Sequence, residues 1–123
     1  MLNHDYSAAS LALEQSRELC EAAGDRLVLS SVERHLGFIA YLESMTAEAQ
    51  SHLEESLRLR RELNFPAGVA MALVALAEFH NERHDRELAE RLLDEAAGVA
   101  RASGATGALE AIDQARRDLK PPR

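Results

Sequence analysis

TAEAQSHLEESLRLRRELN, residues 46–64, reads as one helix with its own stop signal. Ala49, Leu53, Ser56 and Leu63 fall on a single stripe at helical spacing. Thr46 can cap the start, and Asn64 can take the left-handed conformation that closes a helix. Forty residues earlier, YSAASLALEQSRELCEAAG (6–24) puts Ala9, Leu13, Ser16 and Gly24 at the same places. Forty residues later, RELAERLLDEAAGVARASG (86–104) does so with Ala89, Leu93, Ala96 and Gly104. A period of this size marks a repeat architecture.

Between these segments lies a second kind of helix. Leu29, Val32, Leu36 and Ile39 form one stripe; its shifted copies are Val69, Ala72, Leu76 and Phe79, then Leu109, Ile112, Arg116 and Leu119. The chain is therefore predicted to alternate two types, B over 6–23, 47–63 and 86–103, and A over 26–43, 66–83 and 107–119. Pro66 fits a first helical turn, where its missing N–H costs nothing, and Pro121 and Pro122 stop the last helix. Connections this short force antiparallel neighbours, so the helix pairs stack side by side. With no linker and no low-complexity tract, residues 1–123 read as one domain.

Composition agrees. Of 123 residues 46% are hydrophobic, only 4% are aromatic, and none is Trp. Alanine and leucine, the strongest helix formers, dominate, and no period-2 alternation signals a strand, so the expected class is all-α. The net charge of −7 repels phosphate backbones and argues against direct nucleic-acid binding. The run Arg58, Arg60, Arg61 has Glu54, Glu55 and Glu62 around it and reads as a solvated helix face. Cys20 is alone, which rules out an intrachain disulfide and suits a small core residue. Without an apolar run long enough to span a bilayer, and without a basic-then-apolar leader, the expectation is a soluble, cytoplasmic protein with no membrane partner.

The residue sizes resemble the tetratricopeptide repeat. Leu36-Gly37 and Leu76-Ala77 fit its helix A; Ala49, Leu53, Ser56 and Ala89, Leu93, Ala96 fit its helix B. Small residues let the two helices cross closely, and the bulky one fills the gap beside them. Ala9, Leu13 and Ser16 belong to a B helix without its A partner. The period is 40 rather than 34, and the proline that closes helix B is missing. HEAT and armadillo repeats, with periods of roughly 40–47 residues, are the alternative family. Long repeats with a turn such as Gly24-Asp25 are also similar to the sensor regions of bacterial ATP-dependent transcriptional regulators and signalling proteins.

The resemblance implies a right-handed α-solenoid of about six helices whose A helices line a concave groove. Carried over residue by residue, the ligand-facing positions are Ser31, Arg34, Phe38 and Tyr41, then Met71, Val74, Glu78 and Asn81, then Gln114 and Asp118. It implies a non-enzymatic, cofactor-free scaffold for a protein or peptide. A self-association unit and an effector-binding fragment of a larger regulator are the other readings. The groove lacks the Lys and Asn pattern with which some family members clamp a C-terminal carboxylate.

Other chemistry is sparse. His80 and His84 stand four apart with Glu82 between them, but His84 aligns with Ser44 at a turn, and His4, His35 and His52 offer no third ligand. Neither a metal site nor a catalytic group is expected, and the pairs Glu54-Glu55 and Asp94-Glu95 read as solvated charge. The two ends differ. Arg116-Arg117 replaces the Leu-small pair of earlier repeats and reads as a solvating cap. The first helix carries Leu11 and Leu19 on a side with no partner, which is expected to be a homodimer interface or the seat of an upstream domain.

Overall fold

Left-handed residues recur every 20 positions: Gly24 (φ 70°), Ser44 (61°), Asn64 (51°), His84 (61°) and Gly104 (72°). They separate six helices in a computed structural model that describes residues 6–121: α1 (Ser7–Ala23), α2 (Arg26–Leu42), α3 (Thr46–Glu62), α4 (Pro66–Glu82), α5 (Arg86–Ser103) and α6 (Thr106–Arg117). Among the described residues every regular element is helical. His4 and Pro122 lie outside them.

All five turns close in the same way. The residue after each left-handed position donates its N–H to the carbonyl five residues back: Asp25 to Cys20 (2.9 Å), Met45 to Ala40 (2.8 Å), Phe65 to Arg60 (3.1 Å), Asp85 to His80 (2.9 Å) and Ala105 to Ala100 (2.9 Å). This bond satisfies a carbonyl that the helix end leaves without a partner. That same residue then opens the next helix, its carbonyl accepting from the amide four residues on, as in Ala49 to Met45 and Ala89 to Asp85. Asp25 and Asp85 add side-chain caps, accepting from the amides of Val28 (3.1 Å) and Leu88 (3.3 Å). Thr46 is the first residue of α3 rather than its cap, because Met45 takes the capping place.

The chain divides after Leu59 into two compact units. In the first, α1 and α2 pack through Cys20, Val32 and Leu36, with Leu13 and Leu29 beside them. Cys20 is thus the small core residue its stripe predicts. Gly37 meets α3 at close range: a Cβ there would lie 2.9 Å from Leu53 Cγ and 3.2 Å from the carbonyl oxygen of Ala49. A helix crossing this tight requires a small residue, which is why Gly37 follows Leu36 and why Ala49 is fully buried. Ser56 reaches across to the carbonyl of Ser30 (2.7 Å) and closes the same crossing.

In the second unit α4 is the central helix. Ten of its residues are buried, it packs against both α5 and α6, and α5 turns Ala89, Leu93, Ala96, Ala97 and Ala100 inward. Ala77 stands in the place of Gly37 and is likewise buried. The inward side of α6 consists of Ala108, Ile112 and Ala115. Only Ile112 of these belongs to the expected stripe. Arg116 turns out instead to Asp94 Oδ1 at 3.0 Å, since a guanidinium pairs with a carboxylate more cheaply than it enters an alanine-lined contact.

Candidate functional site

One exposed stripe stands out on α2. Leu27, Ser31, Arg34, Phe38, Tyr41 and the turn residue Met45 follow at spacings of four, three, four, three and four, which places them along one side of the helix. The opposite side is committed to the core through Val32, Leu36 and Ala40. Phe38 is 58% exposed, Leu27, Tyr41 and Met45 are exposed, and Ser31 and Arg34 are half-buried. A polar pair, Ser31 and Arg34, thus sits between apolar ends. Isolated apolar side chains on a surface are ordinary, whereas Phe38, Tyr41 and Met45 follow one another along a single side.

The equivalent stripe on α4 is built differently. Val74 is only 4% exposed, so it belongs to the core and offers no surface. Met71 is half-buried and Glu78 exposed. Asn81 is buried, and both ends of its amide are bonded: Nδ2 donates to the carbonyl of Asp118 (3.0 Å), and Oδ1 accepts from the amide of Lys120 (2.8 Å). Gln114 on α6 is exposed, donates through Nε2 to Asp118 Oδ1 (3.1 Å) and accepts from Arg117 (2.8 Å). Glu78, Asn81 and Asp118 line one small cleft of about 80 Å3 with Ala77, Glu82, Leu93, Ala115 and Leu119. The expected site residues therefore form two groups, Arg34, Phe38 and Tyr41 on α2, and Glu78, Asn81 and Gln114 around the segment that leaves α6.

The chain matches no family model, no curated protein and no solved structure. Its functional reading rests on its own geometry.

Several polar groups take places that spacing alone does not give. Arg60 is buried, not solvated like the rest of its run, and its Nη1 donates to the carbonyl of Gly68 (3.1 Å). It stands where the other B-type helices have Cys20 and Ala100, so its position follows the core stripe rather than its charge. Arg58 and Arg61 do lie outside, paired with Glu55 and Glu95. The Arg58 hydrogen bond holds the Glu55 carboxyl below its ordinary range, against the opposing effect of burial. Inside the first unit, Glu33 is 5% exposed and bonded to His52 Nδ1 at 2.6 Å, with Arg17 Nη1 at 3.8 Å.

His84 is the left-handed turn residue after α4, and His80 lies edge-on to Phe79, their ring centroids 5.1 Å apart. Among the described residues no group of three or more His, Cys, Asp or Glu side chains is placed to hold a metal ion, and no helix is long and apolar enough to cross a membrane. Leu11 and Leu19 on α1 are 60% and 71% exposed.

Sequence reasoning missed Arg86 and Lys120 at the α4–α6 cleft. Arg86 Nη1 donates to the carbonyl of Lys120 (3.4 Å), and Lys120 Nζ pairs with Glu82 (2.7 Å). The one signal available was the cation just before Pro121-Pro122, where the helical pattern has already ended.

Proposed function

We propose that this chain is a non-enzymatic helical-repeat module of the tetratricopeptide kind, binding a peptide or protein on the outward stripes of its A-type helices. The observation that carries the reading is the row on α2, in which two of the five aromatic residues of the chain lie three apart, outside the core, next to Arg34. Aromatic side chains give large contact area with few torsions to freeze, and arginine adds planar hydrogen bonding and stacking, so both are enriched among the residues that dominate interface energetics. The test is a selection from a displayed peptide library against the whole chain. A selected peptide should lose at least about tenfold in affinity when Phe38 and Tyr41 are both changed to Ser. The exposed Leu27→Ser on the same helix should have a smaller effect, and Leu19→Ser on α1 none. If no selected peptide depends on Phe38 and Tyr41, the reading fails.

A second reading, self-association, has its own observation. Leu11 and Leu19, eight residues apart on α1, are the two most exposed large apolar side chains among the described residues, at 60% and 71%. One apolar patch meeting its own copy closes as a two-fold pair. Light scattering should find a dimer that Leu11→Glu with Leu19→Glu converts into a folded monomer. An unmodified chain that stays monomeric at high micromolar concentration excludes this reading.

A further inference from the structure

Arg34 is an exception among the cations of this chain. Of the described Lys and Arg side chains, those at least partly withdrawn from solvent are Arg17, Arg34, Arg60, Arg86, Arg116 and Lys120. Five of them are engaged: Arg17 with Glu14 (2.6 Å), Arg60 with the carbonyl of Gly68 (3.1 Å), Arg86 with Glu90, Arg116 with Asp94 (3.0 Å) and Lys120 with Glu82 (2.7 Å). Arg34 has neither a hydrogen bond nor an ion pair among the described residues. The sequence explains why. Side chains on a helix pair at three or four residues' distance, and around Arg34 those places hold Ser30, Ser31, Gly37 and Phe38. The one carboxylate of α2, Glu33, is turned into the core, where His52 Nδ1 lies 2.6 Å from it. The Ser31 hydroxyl, one turn before Arg34 on the same side, also has no partner among the described residues; only its carbonyl is engaged, by the His35 ring. A guanidinium partly out of water and without an acceptor has lost hydration that nothing in the chain replaces.

We propose that Arg34, with Ser31 beside it, receives the side-chain carboxylate of an extended partner segment in which one Asp or Glu is flanked on the same face by apolar residues. The proposal rests on the peptide-binding reading above and names the chemistry of its ligand. A carboxylate fits the planar fork of a guanidinium with both oxygens and still has lone pairs for a hydroxyl. A single guanidinium matches a single negative charge, and the net charge of −7 opposes a more highly charged ligand. The apolar neighbours set the rest of the pattern. Leu27 lies before Ser31, and Phe38, Tyr41 and Met45 lie after Arg34 on the same side. A four-residue step along a helix rises about 6 Å, and every second side chain of a strand recurs at about 6.6 Å. An extended segment can therefore set its carboxylate on Arg34 and the next side chain of that face on Phe38.

The experiment uses the full chain and a probe blocked at both ends, acetyl-Ser-Leu-Ser-Glu-Ser-Phe-Ser-Leu-Ser-amide, together with its reversed sequence, each titrated by NMR. At least one of the two should bind and move the amide resonances of α2. Replacing its Glu by Gln should weaken binding about tenfold. Arg34→Gln should cause the same loss for the Glu form and little change for the Gln form, so that the two changes together cost no more than either alone. The proposal is overturned if neither sequence binds, if the Glu and Gln forms bind alike, or if Arg34→Gln weakens both forms equally. Binding that appears only when the amide is replaced by a free C-terminal carboxylate overturns it too, because the charge read is then a chain end. Should Arg34→Gln not fold, Arg34→Met keeps the apolar stem and takes its place, and the comparison of Glu with Gln on the parent chain needs neither. Phe38→Ser with Tyr41→Ser separates this proposal from the broader reading. A probe that needs both aromatics but ignores its own charge leaves the α2 stripe standing and removes the carboxylate site. A probe that needs Arg34 and its Glu but not the aromatics does the reverse.

Discussion

Leucine in place of Ala89 is expected to lower the unfolding free energy by about 1–3 kcal/mol, and Ala49→Leu by a similar amount. The same substitution at Ala9 should stay within about 0.5 kcal/mol of the parent chain. The three sites are copies of one repeat position and differ in what covers them. Ala49 and Ala89 are both 0% exposed, and Ala9 is open. At Ala49 the room is measurable: its carbonyl oxygen lies 3.2 Å from where a Cβ on Gly37 would stand, so α2 already touches α3 there. Three more carbons at either buried site must push the helices apart or force side chains off their rotamers. At Ala9 they enter solvent. Urea titrations of the three variants give the comparison directly. If the buried sites melted like Ala9, small residues would not be what sets the helix crossings.

The helical class and the 40-residue repeat are legible because they rest on residue sizes at fixed spacing. The finer period of 20 is half hidden. Gly24, Asn64 and Gly104 advertise left-handed backbone, whereas Ser44 and His84 adopt it without being the residues that favour it. Those two are held there by the surrounding turn, whose amide-to-carbonyl bonds are the same in all five cases. Site residues divide along similar lines. Phe38 and Tyr41 could be picked out because aromatics off the core stripe are conspicuous. Val74, at the position of Arg34, could not be recognised as core from its place in the repeat, since register fixes the side of a helix but not what lies over it. The engagement of Asn81 was out of reach because its partners are 37 and 39 residues away, on a segment past the end of the periodic pattern. Arg60 shows the converse, a charge whose flanking carboxylates suggest solvent while its register places it inside.

Changing His52 to Leu should destabilise the chain by roughly 1–3 kcal/mol, and adding Glu33→Leu should restore the loss or more. Glu33 is almost fully buried, and its closest hydrogen bond among those described is to His52 Nδ1 at 2.6 Å; Arg17 stands farther off at 3.8 Å. Removing the imidazole leaves a buried carboxyl without its nearest partner, and a buried polar group costs most when it loses its hydrogen bond. The reverse single change, Glu33→Leu, should cost less, because His52 is 21% exposed at its side chain and water can serve the freed nitrogen. The chain itself supplies the precedent for the double change. Forty residues on, the same two positions are Leu73 and Leu92, and Leu73 is completely buried. A repeat of this register therefore packs with leucine at both places, and the polar pair is a substitution within a frame that accepts apolar side chains. A double-mutant cycle read by urea unfolding separates the cases. Strong non-additivity, with the double variant at or above the parent stability, means that the pair contributes specificity rather than net stability. Simple addition of two losses would mean that Glu33 and His52 each hold something else in place, and the equivalence of the two repeats at this position would then be one of sequence register only.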